Sequence, residues 1–395
     1  MKEYHVFPIR IFMTVCILLA LVSGAPAQQP ASSASIDDVI KALEAREASV
    51  SNVIATAVVR TYRTDWDFIC FDTAIRQALK PDYPIRTEAE IRKQPHQAMT
   101  ILEMSLGRDV SQLVAQGIAG LGDQWFPSGG EQEVADQARN LRITATDGQR
   151  IFDFSRAEGS PKLTVSPRYG QTAEFSRDPY ASWFGLALGG MPPSKLLRRP
   201  SLKMLPLAKL EDALLLELAD IETSKQGTFI HETRFWMLPA YGYALKRFER
   251  LTIGTDDPAT GSRRIVTWDD FAPAEGMGPF FARRWRSETF YYNSQVDTPH
   301  ARTQIVDFED YPVNSTIPQP THAWAPLGTL VVIDPRLGSD DSTLAAIQNR
   351  ARRLEVQRVA FEREGCPAPD GAANRKIGKA DLDALLAKYG LVVPK

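Results

Sequence analysis

Apolar and polar positions alternate most clearly between Thr228 and Ile253, a stretch that reads as two strands joined by the turn Leu238-Pro239-Ala240-Tyr241-Gly242-Tyr243. Side chains alternate across a strand, so Phe229, His231, Thr233, Phe235 and Met237 share one face of the first strand, opposite Ile230, Glu232, Arg234 and Trp236. On the second strand Leu245, Arg247, Glu249, Leu251 and Ile253 share a face, and Phe248 stands on the other. Neither face is wholly wet or dry. That mixture suits a curved sheet with one large apolar side and a partly covered reverse, the shape of a container.

The rest of the chain supplies elements of the same kind. Ile36, Val39, Ile40 and Leu43 recur at helical spacing behind Ser35, with Asp38 three residues on, and predict an amphipathic helix to about Ser51. Val53–Arg63 alternates and predicts a first strand that includes Val58 and Tyr62. From Asp65 to Val114 the pattern is poorer. Trp66, Phe68, Ile69 and Phe71 read as strand or core turn, Pro81, Pro84 and Pro95 break the middle, and Ala98–Leu106 reads as a strand. Gly117–Gly130, with Trp125-Phe126-Pro127, reads as an irregular loop. Leu141–Ser155 is a hairpin about the Asp147-Gly148 turn. Beyond Pro167, apolar density around Trp183–Leu188, Leu196 and Leu197 is cut by Gly and by Pro192-Pro193. It predicts short helical pieces lying across the sheet as a lid. Ala213–Ile221, Arg263–Phe271, Phe280–Tyr292 and Thr303–Phe308 complete a meander, with Val266 and Trp268 on one face and Ile265 and Phe271 on the other. Short turns and no crossover helix in this half make it antiparallel.

Composition narrows the class. With 395 residues, 44% of them hydrophobic, the chain can bury a large core, and a net charge of -2 gives no basic footprint for nucleic acid. Met1–Ala27 reads as a signal peptide: Lys2 and Arg10 precede the apolar run Ile11–Val22, and Ala25-Pro26-Ala27 follows it. Residues 28–35 read as a flexible leader. No later stretch has spanning length, so the mature chain is expected to be soluble and exported and not an integral membrane protein. Cys70 and Cys366 would remain, as one disulfide or as two free thiols, and no Cys/His spacing marks a metal site.

Candidate catalytic chemistry is sparse. There is no GxSxG, HExxH, P-loop or GxGxxG; His96, His231, His300 and His322 are scattered, and Asp269 and Asp270 point to opposite faces of their strand. His231 reads as a hydrogen-bonded core residue. Asp370, Asn374, Ile377 and Asp381 take four positions of a calcium-loop pattern, but Ala372 and Arg375 replace a ligand and the turn glycine, leaving a small terminal helix as the reading. Before it, Leu344, Ile347, Ala351, Leu354 and Phe361 form an apolar helical stripe with Arg350, Arg352, Arg353 and Arg358 mostly outside it.

A signal peptide, one amphipathic helix, a strand meander, a Gly/Pro-broken apolar segment and the late hairpin Phe235-Trp236-Met237-Leu238-Pro239-Ala240-Tyr241-Gly242-Tyr243-Ala244-Leu245 resemble the LolA/LolB-type lipoprotein-carrier superfamily. Val313–Pro318 and Trp324–Asp334 are similar to the closing strand of its larger members. The resemblance implies a mainly β (α+β) fold: a strongly curved, unclosed antiparallel β-barrel over residues 36–337 with a helical lid, followed here by a helical extension over 338–395. It also implies an apolar cavity for acyl chains. The expected function is a periplasmic carrier of lipid or lipoprotein, without cofactor or metal and without catalysis. Trp183, Phe184, Leu186, Leu188, Phe235, Met237, Phe281 and Trp285 are the candidate lid and lining. Two alternatives remain: an envelope interaction protein with a filled core, binding a partner through the C-terminal helix, and an envelope lipid hydrolase.

Overall fold

The structure, a computed structural model, describes residues 35–78, 82–94, 96–107, 111–119, 141–146, 150–157, 160–167, 179–188, 191–199, 201–224, 227–273, 280–310 and 365–393. Helix α1 (Ile36–Ser49) leads into β1 (Asn52–Arg63), followed by α2 (Asp65–Ala78) and α3 (Glu88–Arg92). Five strands come next: β2 (Gln97–Gly107), β3 (Ser111–Ala119), β4 (Leu141–Thr146), β5 (Arg150–Ala157) and β6 (Ser160–Pro167). A 3-10 helix (Pro179–Phe184) and α4 (Pro193–Leu197) separate these from β7 (Lys203–Met204), β8 (Ala208–Leu210), β9 (Ala213–Ser224), β10 (Gly227–Leu238), β11 (Ala244–Gly254), β12 (Gly261–Pro273), β13 (Phe280–Tyr292) and β14 (His300–Asp310). Helix α5 (Lys379–Tyr389) follows in the C-terminal segment.

All fourteen strands belong to one antiparallel sheet, in the order β6-β5-β4-β3-β2-β1-β14-β13-β12-β11-β10-β9-β7, with β8 also on β9. The sheet is unclosed. Its two halves join where β1 pairs with β14, Val59 opposite Val306, so the strands at its ends are those that flank the stretch 168–202 in sequence. The mainly β, antiparallel reading holds, as do α1, β1, β2, the β4–β5 pairing and the strands from β9 onward.

The two faces bury separate cores. One gathers Val53, Ala55, Ala57 and Val59 of β1 with Phe235 and Met237 of β10, Val266 and Trp268 of β12, Phe281 and Trp285 of β13, and Val306 and Phe308 of β14. Alternation places Ile230, Ile265, Phe290 and Tyr292 on the reverse, where Ala373, Ile377, Leu382, Leu385 and Tyr389 of the C-terminal segment pack on them. Polar ties hold this segment as well: Tyr292 donates to Ala373 O at 2.9 Å, Tyr62 to Gly365 O at 2.8 Å and Tyr389 to Glu232 at 3.0 Å.

Four expectations are corrected. Trp66, Phe68, Ile69 and Phe71 lie on α2, where Asp65 and Asp67 occupy the first turn and Arg63 pairs with Asp67 one turn on; Phe68 is buried while Ile69 and Phe71 are exposed. The register slips between Trp236/Arg247 and Met237/Leu245, leaving Lys246 as the extra residue, so Leu245 joins Phe248 on the apolar face instead of Arg247 on the reverse. Asp270 is left-handed (φ 57°), and Phe271 packs with Trp268 against simple alternation. The start of the expected Gly117 loop is the end of β3. The stripe Leu344–Phe361, the stretch Val313–Asp334, His322 and the signal segment lie outside the described residues.

Candidate functional site

The apolar face is covered by α1 and by the chain between the end strands. Val39, Ile40 and Leu43 of α1 join its cluster, and so do Trp183, Phe184, Leu186, Leu188, Leu196 and Leu197. All eight residues singled out from the sequence therefore meet in one place: Trp183, Phe184, Leu186 and Leu188 from the covering segment, and Phe235, Met237, Phe281 and Trp285 from the sheet, each at most 8% exposed.

The contacts are mainly aromatic. Trp183 lies 5.9 Å from Trp285 and 6.2 Å from Phe308, ring centre to ring centre, and Phe184 lies 5.9 Å from Phe281, edge to face, and 5.0 Å from Phe308. One buried hydrogen bond fixes the segment to the sheet, from Trp268 Nε1 to Trp183 O at 2.9 Å. Gly185 then takes a left-handed conformation (φ 68°) that turns the chain back past Leu245. Backbone bonds between Leu188 and Met191 close the next turn. Helix α4 is tied to α1 by Ser194, which donates through N and Oγ to Glu47, and by Arg198, paired with Glu44 at 2.9 Å. A side chain lining a water-sized void keeps accessible surface; Phe235, Met237, Phe281 and Trp285 keep 1% or less. No water-sized void therefore opens on these four side chains.

The electrostatics of the cluster come from Arg46, which sequence reasoning missed. It is 8% exposed, with Nη2 donating to Phe280 O at 2.6 Å and the guanidinium 4.9 Å from the centre of the Phe281 ring. Burial lowers its pKa to about 10, against an opposing effect of Glu47. Its Nη1 has no hydrogen-bond partner, nor has Trp285 Nε1. The signal was present in the helix pattern, where Arg46 stands three residues beyond Leu43 and seven beyond Val39, on the apolar stripe itself.

The described histidines serve as structural links. His231 bonds Thr252 Oγ1 at 2.9 Å and Glu222 at 3.2 Å, and its pKa is lowered by burial and by Arg250, with Asp220 and Glu222 opposing. His96 bonds Gln94 O and Asp65, and His300 bonds Thr303 Oγ1. None of these bonds involves a serine. The calcium-loop positions are likewise occupied by protein donors. Asp370 accepts the N–H groups of Ala372 and Ala373 and pairs with Arg247 at 3.0 Å; Asn374 Oδ1 accepts from His300 N; Asp381 pairs with Arg375 and accepts from Gly378 N. Among the described residues no cluster of His, Cys, Asp or Glu could hold a metal ion, and no helix is long and apolar enough to cross a membrane. Cys70 and Cys366 are free thiols.

No protein-family model matches the chain, and no curated protein matches it.

Proposed function

We propose that the chain carries the acyl chains of lipid or lipoprotein in the periplasm, exported by its first 27 residues, in the manner of the LolA/LolB-type carriers. On this reading the unclosed sheet is a strongly curved half-barrel, and residues 179–197 are its lid. The supporting observation is that the apolar face is completed by a separate stretch of chain, which seats Trp183 and Phe184 on Trp285, Phe281 and Phe308. Such a face is satisfied equally well by another apolar occupant.

The magnitudes permit the exchange. Lifting Trp183, Phe184, Leu186 and Leu188 off the sheet costs on the order of 8 kcal/mol at about 2 kcal/mol for each buried side chain. An acyl chain of about ten carbons regains a similar amount at ~0.8 kcal/mol per methylene. Near balance, cargo can be both taken up and given away. Native mass spectrometry of protein purified from the periplasm, with extraction of bound lipid, is the test: adducts of acyl-lipid mass are expected. Bare protein that also fails to take up a fluorescent fatty acid refutes the proposal.

The near-complete burial of Phe235, Met237, Phe281 and Trp285 favours a second reading, an envelope interaction module whose cover never leaves. That reading predicts a melting temperature indifferent to added lipid, whereas a carrier gains stability from any ligand that binds its folded form.

A further inference from the structure

From the two orphaned donors in the apolar cluster we infer that this face binds an amphiphile with an anionic headgroup, carboxylate or phosphate, which Arg46 and Trp285 anchor. The inference rests on the carrier reading above and adds the chemistry of the cargo's polar end.

Buried N–H groups are almost always paired, and a buried guanidinium has the greatest need of it. Here Arg46 Nη1 and Trp285 Nε1 are both buried and both without an acceptor. Nη2 of the same guanidinium is satisfied by Phe280 O, so the group is held in place with one edge unused. The adjacent carboxylate, Glu47, is bonded instead to Ser194 N and Oγ and does not reach Nη1. Both orphans are donors, so the missing partner is an acceptor. One donor is cationic, so an anionic acceptor suits it best.

Their positions link them to the covering segment. Trp285 is the residue on which Trp183 is seated, and Phe281, beneath the Arg46 guanidinium, is the residue on which Phe184 is seated. The aromatic pair that closes the face is thus seated on the ring that carries one orphaned donor and on the ring that packs beneath the other, so its departure would free apolar surface next to both. A cation at the edge of an apolar patch orients an amphiphile, headgroup toward Arg46 and chain along the sheet. The lowered pKa of Arg46 leaves it charged at neutral pH.

The test measures binding to the mature chain of three ligands with the same sixteen-carbon tail: palmitate, hexadecyl phosphate and hexadecanol. Displacement of a fluorescent fatty acid is the readout. The wild type is expected to bind the two anions at least about tenfold more tightly than the alcohol, the scale of one charge-assisted pair. Arg46→Met should bring the three affinities together, whatever its effect on hexadecanol itself, and Arg46→Lys should restore part of the preference. Should Arg46→Met fold poorly, Trp285→Phe keeps the ring, removes its N–H and should narrow the same gap. Preference for phosphate over carboxylate, or the reverse, identifies which headgroup the site prefers and supports the anchor either way. Equal binding of all three by the wild type, or a preference that survives both Arg46→Met and Trp285→Phe, overturns the headgroup assignment and leaves the carrier reading standing. Binding of none by the wild type overturns both.

Discussion

A covalent lock across the proposed lid separates an exchangeable cover from a permanent one. A Cβ built on Gly185 falls 3.8 Å from Leu245 Cβ, inside the range spanned by disulfides, so Gly185→Cys with Leu245→Cys bridges the covering segment to β11. Cys70 and Cys366 are free thiols and are changed to Ser to prevent mispairing. Two costs are built in. Residue 185 has φ of 68°, so a side chain there costs about 1–2 kcal/mol, and shortening buried Leu245 costs about 2 kcal/mol. Against these, cross-linking a loop of about 60 residues removes on the order of 4 kcal/mol of unfolded-state entropy. The oxidised protein should therefore have nearly wild-type stability and exceed its reduced form by about 4 kcal/mol in urea unfolding, which itself shows that the bond has formed. Uptake of a fluorescent fatty acid should be absent in the oxidised form and return on adding dithiothreitol. Equal uptake with the lock closed would mean that cargo enters without moving residues 179–197, and the reasoning about this face would fail.

Trp268→Phe removes the hydrogen bond from Nε1 to Trp183 O. It should cost about 1–3 kcal/mol and speed amide exchange in Trp183–Leu188 well beyond any change in β13; uniform acceleration would show that the segment opens only with the whole sheet. The C-terminal segment should loosen in acid. Burial acts to raise the pKa of Glu232 and Asp370, but Arg234, Lys388 and Tyr389 at the first, and Arg247 with the Ala372 and Ala373 N–H groups at the second, hold both below the usual range. Carboxylates lowered in this way contribute in full above their unfolded pKa and cease to as pH falls through the folded value, so exchange over residues 365–393 should rise below about pH 4. Unchanged protection at pH 3 would refute it. Burial and, secondarily, Asp67 push the Cys70 thiol up to about 12, while Cys366 is exposed. A thiol reagent at pH 8 should therefore titrate two groups, Cys366 first, and reductant should leave the melting temperature unchanged; failure to titrate any thiol would indicate a disulfide.

What the chain pattern revealed depended on how much of each side chain's environment is local. The hairpin about Asp147-Gly148 and the strands from Ala213 onward were legible because alternation over ten or so residues already separates two faces. Helix α2 was not, because Trp66, Phe68, Ile69 and Phe71 favour strands by type and the helix is set by capping charge and by contacts distant in sequence, such as Trp66 Nε1 on Tyr291 O at 2.8 Å. Lys246 and Asp270 each add a local backbone irregularity that alternation does not register, and they send Leu245 and Phe271 to the face opposite the expected one. For the eight candidate side chains, apolar density signalled burial. Their convergence needed the topology, since it arises from Trp268 pairing with Trp285 across β12–β13 and from residues 179–197 connecting the sheet's two ends.

The two covers of the sheet are held by different forces, and this decides which of them can be exchanged. On the reverse face, α5 and the residues before it are fixed by directional contacts: Lys388 to Glu217 and Glu232, Arg247 to Asp370, Arg286 to Ala368 O, and His300 N to Asn374. Replacing that segment would take Lys388 and Tyr389 from buried Glu232 and Asp370 from Arg247, a penalty no apolar ligand offsets. On the apolar face, residues 179–188 meet the sheet through ring contacts and the Trp268 bond, and hydrophobic burial has no direction and accepts any occupant of suitable volume. The polar ties of α4 run to Glu44 and Glu47 on α1, so residues 179–188 can lift while those ties and the Arg46 bond to Phe280 O stay in place. Among the described residues, a ligand exchange that trades mainly apolar surface is therefore better suited to this face, and Arg46 and Trp285 are polar groups there that stand to gain from it.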